Sequence, residues 1–220
     1  MSWLSQFIIL VEVLNEFSTN CRIILVDALV EIHPNENIEA AHLFEINQHQ
    51  FQAMDIISGR ICPEWNGKEE YLDILGFNYY WSCQWIEASE SVEWPDPDLV
   101  RTSFRQMLSA AYYRYKKPIF VSETGHFGVG RAEWMEEIVT ECLAVENAGI
   151  PFFGICIYPI IDRPDWDNLK DYHNSGIFDL DEFGNRIPER NVIEKILSHQ
   201  NLRQSLTEKS QVNWLKIDLL

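Results

Sequence analysis

Pro118-Ile119-Phe120-Val121-Ser122-Glu123-Thr124-Gly125 decides how the rest of this chain is read. Three apolar residues follow a proline and give way to Ser, Glu, Thr and Gly. β-Branched and aromatic residues favour strands, while Pro and Gly bound them. The stretch predicts a short strand, apolar along its length, that ends by presenting the carboxylate of Glu123. Strands of that kind sit in parallel sheets covered on both faces.

Three more runs share this character. Ile23-Ile24-Leu25-Val26 continues through Ala28-Leu29-Val30 and stops at His33-Pro34. Leu72-Asp73-Ile74-Leu75-Gly76-Phe77-Asn78-Tyr79 is the second, and Phe152 to Tyr158 the last. Between them lie segments with apolar residues at helical spacing. These run from Trp3 to about Phe17, then from Ile38 to Ser58 with Ala41, Phe44, Met54 and Ile57 at helical spacing and Gly59 as the stop. Others follow at about Leu99–Tyr115, about Ala132–Asn147 closed by Gly149, and Glu189–His199. A loop rich in Trp, Ser, Glu and Pro follows the second strand, and a polar loop leads from the fourth to Arg186. Four apolar strands alternating with amphipathic helices are βα units with a parallel sheet. Either a barrel or an open doubly wound sheet fits that pattern.

Each strand ends on polar or aromatic groups: Glu31 and His33, Asn78 and Tyr80, Glu123, then Tyr158 and Asp162. Barrel enzymes build their sites at strand C-termini, so such groups suit one shared pocket. They also suit ordinary strand-end loops. Asn78 and Tyr80 are two apart and so face the same way in an extended strand.

Here three stretches resemble family 1 glycoside hydrolases, the β-glucosidase family. Leu72 to Tyr80 resembles the sixth barrel strand. Pro118 to Gly125 is similar to the seventh, usually P-I-Y-I-T-E-N-G. Tyr158-Pro159-Ile160-Ile161-Asp162-Arg163-Pro164-Asp165-Trp166 resembles the eighth-strand segment W-S-L-L-D-N-F-E-W. Glu123 to Arg131 is also similar to a divergent bacterial branch of these proteins. The resemblance covers roughly residues 20 to 200 and implies an α/β fold, the C-terminal half of a (β/α)8 barrel with strands five to eight and their helices. The expected organisation is a partial barrel over residues 1–200 and a tail over 201–220.

The same resemblance implies roles. Glu123 becomes the nucleophile of a retaining glycosidase, and Tyr80 its hydrogen-bond partner. Asn78 lines the sugar site. Asp165 and Trp166 match the Glu-Trp pair that binds sugar hydroxyls and stacks on the ring, although Asp is one methylene shorter than Glu. Tyr158 stands for a Trp and Thr124 for an Asn. Asp162 and His126 join the substrate-binding set, with Gln84, Trp85, Arg163 and His173 as further loop residues near the pocket.

Retaining hydrolysis needs a second carboxyl about 5–5.5 Å from the first. The family takes it from an Asn-Glu-Pro motif at the end of the fourth strand. Asn15-Glu16-Phe17 looks similar, but too few residues separate it from the strand near Arg22 for a parallel crossover. It is expected at the end of a helix. The resemblance thus implies a β-glucosidase-like fragment without its acid/base, or an inactive remnant that binds carbohydrate or a complementary half-barrel chain. Self-association is a further option, because a half barrel leaves two edges and an inner face open. The tail, with Trp214, Leu215, Ile217, Leu219 and Leu220, fits either a cover for part of that surface or a disordered end.

Composition narrows partners and compartment. The formal charge of −17 argues against nucleic acid and anionic membranes. Five scattered cysteines, Cys21, Cys62, Cys83, Cys142 and Cys156, show no C-x-x-C pairing and fit free thiols in the cytoplasm. No apolar run is long enough to span a bilayer, and the N-terminus lacks a signal-peptide pattern. His42 and His49 share a helix without a ligand cluster, so no metal is expected, and paired carboxylates need no cofactor. Gly125, Gly128 and Gly130 follow a strand, but in the wrong order for a dinucleotide turn and with no P-loop Lys. They predict a tight loop.

Overall fold

The computed structural model describes residues 3–18, 20–88, 91–96 and 100–199. The segment 201–220, expected as a tail, lies outside the described residues. The chain divides into two compact units. The first runs to His126 and adds Thr140–Tyr158; the second joins Phe127–Val139 to the chain from Pro159 onward.

Helix α1, Trp3–Phe17, opens the first unit. It buries Leu4, Ile8 and Val11, spaced four and three apart as one helical face requires. The hydroxyl of Tyr71 donates to Glu12 at 2.6 Å and ties the helix down. Asn15 and Glu16 fall in its last turn, as expected.

Strands β1 (Ile24–Ala28), β3 (Ile74–Asn78), β5 (Ile119–Thr124) and β6 (Phe152–Ile157) form one parallel sheet in that order. The sheet has four strands and, among the described residues, does not close. Leu25, Leu75 and Ile119 stand in register and are buried. Their neighbours on the opposite face of the edge strand are not: Ile24 is 45% and Val26 47% exposed. The parallel sheet with intervening helices therefore agrees with the half-barrel expectation.

The span Ile38–Ser58, expected as one helix, is broken. Helix α2 covers Ala40–Gln48, a 3-10 turn follows over His49–Phe51, and α3 covers Gln52–Ile57. The side chains at the break bond backbone instead of solvent. Asn47 accepts from the Ile32 N–H at 2.8 Å and donates to the Ile32 carbonyl at 2.9 Å, and Gln50 accepts from the Val30 N–H at 3.0 Å. Gln50 also donates to the Asn47 carbonyl, competing with the helical ladder. These amides hold strand β2, Glu31–His33, which pairs in parallel with β4, Gln84–Ile86.

Helix α4, Phe104–Tyr115, starts later than its apolar spacing suggested because Ser103 and Gln106 form a capping box. Tyr115 and Arg114 both bond the buried carboxylate of Asp55, locking α4 to α3. Helix α5, Arg131–Asn147, supplies its first part to the second unit and the remainder to the first.

The second unit holds a feature that the sequence showed only as polar loop. Strands β7, Phe178–Leu180, and β8, Arg186–Pro188, make an antiparallel hairpin. Asp181 turns it by accepting backbone N–H groups of Phe183 and Asn185. Arg131 is buried and anchors the hairpin through both carboxylate oxygens of Asp179, at 2.7 and 3.1 Å. It also donates to the carbonyls of Gly128 and Gly176. Residues 190–199 are helical.

Candidate active site

Strand alternation alone would aim Glu123 the same way as Ile119 and Val121, which are fully buried. It does not point there. The register between β3 and β5 pairs Phe77 with Val121 but Asn78 with Glu123, so Ser122 is an extra residue. A bulge of this kind re-aims the side chains that follow it. Glu123 thereby shares the face of Asn78, and Thr124 turns inward to full burial.

The bulge is braced by its own extra residue, because the Ser122 hydroxyl donates to Asn78 Oδ1 at 2.8 Å. Two residues past Asn78, the hydroxyl of Tyr80 donates directly to Glu123 Oε1. Burial, followed by that hydrogen bond to the carboxylate, pushes the Tyr80 phenol well above its ordinary range. Tyr80 is therefore a firm donor. Its backbone N–H donates to Cys83 Sγ at 3.2 Å, which fixes the start of the following loop. Burial pushes the Cys83 thiol up, so it is not a nucleophile in waiting.

Tyr158 follows β6 beside the same strand end. Its N–H donates to the Thr124 carbonyl at 2.9 Å. A Cβ at position 125 would collide with the carbonyl oxygen of Tyr158, so this approach admits only glycine. His126 lies against Trp81 and Trp94, with ring centroids 5.6 and 5.5 Å away. Asn78, Tyr80, Glu123, His126 and Tyr158 all belong to the first unit. Ser122, Trp81 and Trp94 were not singled out from the sequence. The Trp after the Asn-Tyr-Tyr run was a usable signal; the bulge left none.

Gln84 holds the strand end from behind. It is fully buried, and its amide donates to the Tyr79 hydroxyl and the Thr102 carbonyl, both at 2.7 Å. Its oxygen accepts from the Thr102 N–H at 2.9 Å and meets His33 Nε2 at 2.8 Å. Those amide donors leave the oxygen as acceptor, so His33 Nε2 carries the proton. Gln84 is thus a structural hub instead of a pocket residue. Trp85 follows it on β4, in register with Ile32.

Asp162, Arg163, Asp165, Trp166 and His173 belong to the second unit. Asp162 is buried and accepts both the N–H and the hydroxyl of Ser175 at 2.9 Å. Asp165 accepts the backbone N–H groups of Asp167 and Asn168, which hold its carboxyl below the usual range, and pairs with His173 at 3.1 Å. Trp166 is 74% exposed, with the Arg163 guanidinium 4.6 Å over its ring. Gly128 adopts the left-handed conformation, φ +59°, that its loop was expected to need.

A parallel sheet whose strands end at Asn78, Thr124 and Ile157, with helices between them, has the fold of half a (β/α)8 barrel. No family model and no curated protein matches the sequence. Solved structures do. The family 1 β-glucosidase of Thermotoga maritima matches with a TM-score of 0.65 at 16% identity, over 90% of this chain and 55% of that one. The β-glycosidase of Thermosphaera aggregans matches with 0.67 at 18% identity, over 93% and 49%. The β-glucosidase of Pyrococcus furiosus matches with 0.66 at 14% identity, over 90% and 45%. The chain is similar in fold to these β-glucosidases and spans about half their length. Among the described residues no helix is long and apolar enough to cross a membrane, and no group of three or more His, Cys, Asp or Glu could hold a metal ion.

Proposed function

We propose that this chain is a β-glucosidase-like glycoside hydrolase fragment in which Glu123 is the nucleophile of a retaining mechanism. The single observation that carries the proposal is the hydrogen bond from Tyr80 to Glu123 at a bulged strand end. A donor held on one carboxylate oxygen aims the group, as attack on an anomeric carbon requires. A Glu123 oxygen forms a bond to that carbon while the bond to the leaving oxygen breaks, giving a glycosyl ester. Water then displaces the sugar. Asn78, Tyr158 and His126 bind the substrate in the first unit, and the sugar-binding role of Asp162, Asp165 and Trp166 rests on their resemblance to the eighth-strand segment alone; the protein acts in the cytoplasm. No Asn-Glu-Pro occurs in the sequence, and the acid/base carboxyl is not assigned to any residue.

Aryl β-glucosides with an activated phenol test the nucleophile alone, because their leaving group departs without protonation. The purified chain is expected to release a burst approaching one equivalent of phenol, and Glu123→Gln to release none. No burst from the folded chain, or an equal burst from the variant, overturns the proposal. The alternative is a remnant that binds carbohydrate, a complementary half-barrel chain or a second copy of itself without turnover. The exposed Ile24 and Val26 on the edge strand favour it. Absence of the burst decides for it.

A further inference from the structure

Helix α2 buries none of its residues, although Ala40, Leu43 and Phe44 sit on one side of it. Those three border a cavity of about 330 Å³ within the first unit, well apart in sequence from the strand-end site. Leu29, Phe51, Met107 and Ala110 complete its apolar wall, and Phe44, 66% exposed, stands at its mouth.

One charged side chain, Glu31, borders this wall. Asn47 and Gln50 border it too, but their amides are committed to the backbone of Ile32 and Val30, and Gln48 accepts from Arg114 at 2.8 Å. Glu31 is half-buried, and its carboxylate accepts no hydrogen bond and joins no ion pair among the described residues. His33, two residues on, gives its Nε2 proton to Gln84. No Lys or Arg is among the residues bordering the cavity. Burial pushes the Glu31 carboxyl up from its ordinary value, and the nearby His33 offsets part of that rise.

A half-buried carboxylate that accepts no hydrogen bond and joins no ion pair, beside a largely apolar wall, is left poorly compensated, and a cation with its own apolar body relieves it. We propose that this cavity binds a small organic ammonium ion, its charge against Glu31 and its hydrocarbon or aryl body against Phe44, Phe51 and Met107. The volume is near the lower end of small-molecule sites, about 300–1,000 Å³, which suits a single ring or a short alkyl chain. The chain's charge of −17 draws cations toward the surface and keeps anions away.

Calorimetric titration of the full chain with three isosteres tests this: 2-phenylethylammonium, 2-phenylethanol and phenylacetate. The ammonium is expected to bind with submillimolar affinity, the alcohol about tenfold more weakly, and the anion not at all. Glu31→Gln should bring ammonium and alcohol within about twofold of each other, and Ala110→Phe, which fills the cavity, should remove both. Equal affinity for ammonium and alcohol in the wild type overturns the proposal without any variant. So does failure of all three to bind, or an ammonium preference that survives in a folded Glu31→Gln.

Discussion

Replacing Tyr80 by Phe and Glu123 by Ala, singly and together, isolates the contact on which the site depends. The Tyr80 hydroxyl donates to a Glu123 oxygen, and both side chains are half-buried. A hydrogen bond to an ionised acceptor is worth about 1.5–3 kcal/mol net. Water can reach a half-buried carboxylate once the phenol hydroxyl is gone, which places this pair at the lower end. The expected coupling energy is about 1.5 kcal/mol. Urea unfolding of the four proteins at neutral pH measures it, with a shared m-value required so that the denatured states are comparable. Both residues belong to the first unit, so one transition reports both. The cycle needs no turnover and stays informative if the chain is inactive. A coupling under about 0.5 kcal/mol, the level at which unconnected sites add, would refute the inference that Tyr80 holds Glu123.

Two other outcomes are expected. Gln84→Leu removes both partners of the Thr102 backbone, at about 1–3 kcal/mol for each orphaned group, so urea unfolding should show a loss of about 3 kcal/mol; a loss under about 1 kcal/mol contradicts the hub role. Burial holds the phenols of Tyr79, Tyr80 and Tyr115 above their ordinary value, with hydrogen bonds to Glu123 and Asp55 adding to the effect for the last two. Unfolded phenols ionise near pH 10 while these stay protonated, so unfolding releases protons there. Stability is fully present below about pH 10 and falls as pH rises toward the folded values. Tyr80→Phe should make that decline shallower by up to about 1.4 kcal/mol per pH unit, read from denaturation between about pH 9 and 11.

The four main strands were legible because each is largely apolar, as buried parallel strands require, but the first run, read as continuing from Ile23 to His33, is divided into β1 and β2, which belong to different sheets. Pro118 and Gly125 bounded the decisive one correctly, though the strand itself continues through Glu123 to Thr124. The pairing of Asn78 with Glu123 was not legible. It depends on one extra residue, Ser122, whose effect on side-chain direction appears only when a partner strand is present. The break in Ile38–Ser58 was hidden for a similar reason: its helical spacing is intact, but Asn47 and Gln50 spend their amides on a distant strand. Strands β2, β4, β7 and β8 have three residues each, too few for any alternation to register. The start of α4 was available, since Ser103 and Gln106 have capping-box spacing, but the apolar pattern was followed past it.

The order of the sheet has a consequence for synthesis. Strands β1, β3, β5 and β6 lie side by side in the order in which a ribosome makes them. Each newly emerging strand finds the edge of its predecessor already exposed, and no gap has to be held open for a strand made later. Growth from the N-terminal side can therefore keep pace with translation, one βα unit at a time.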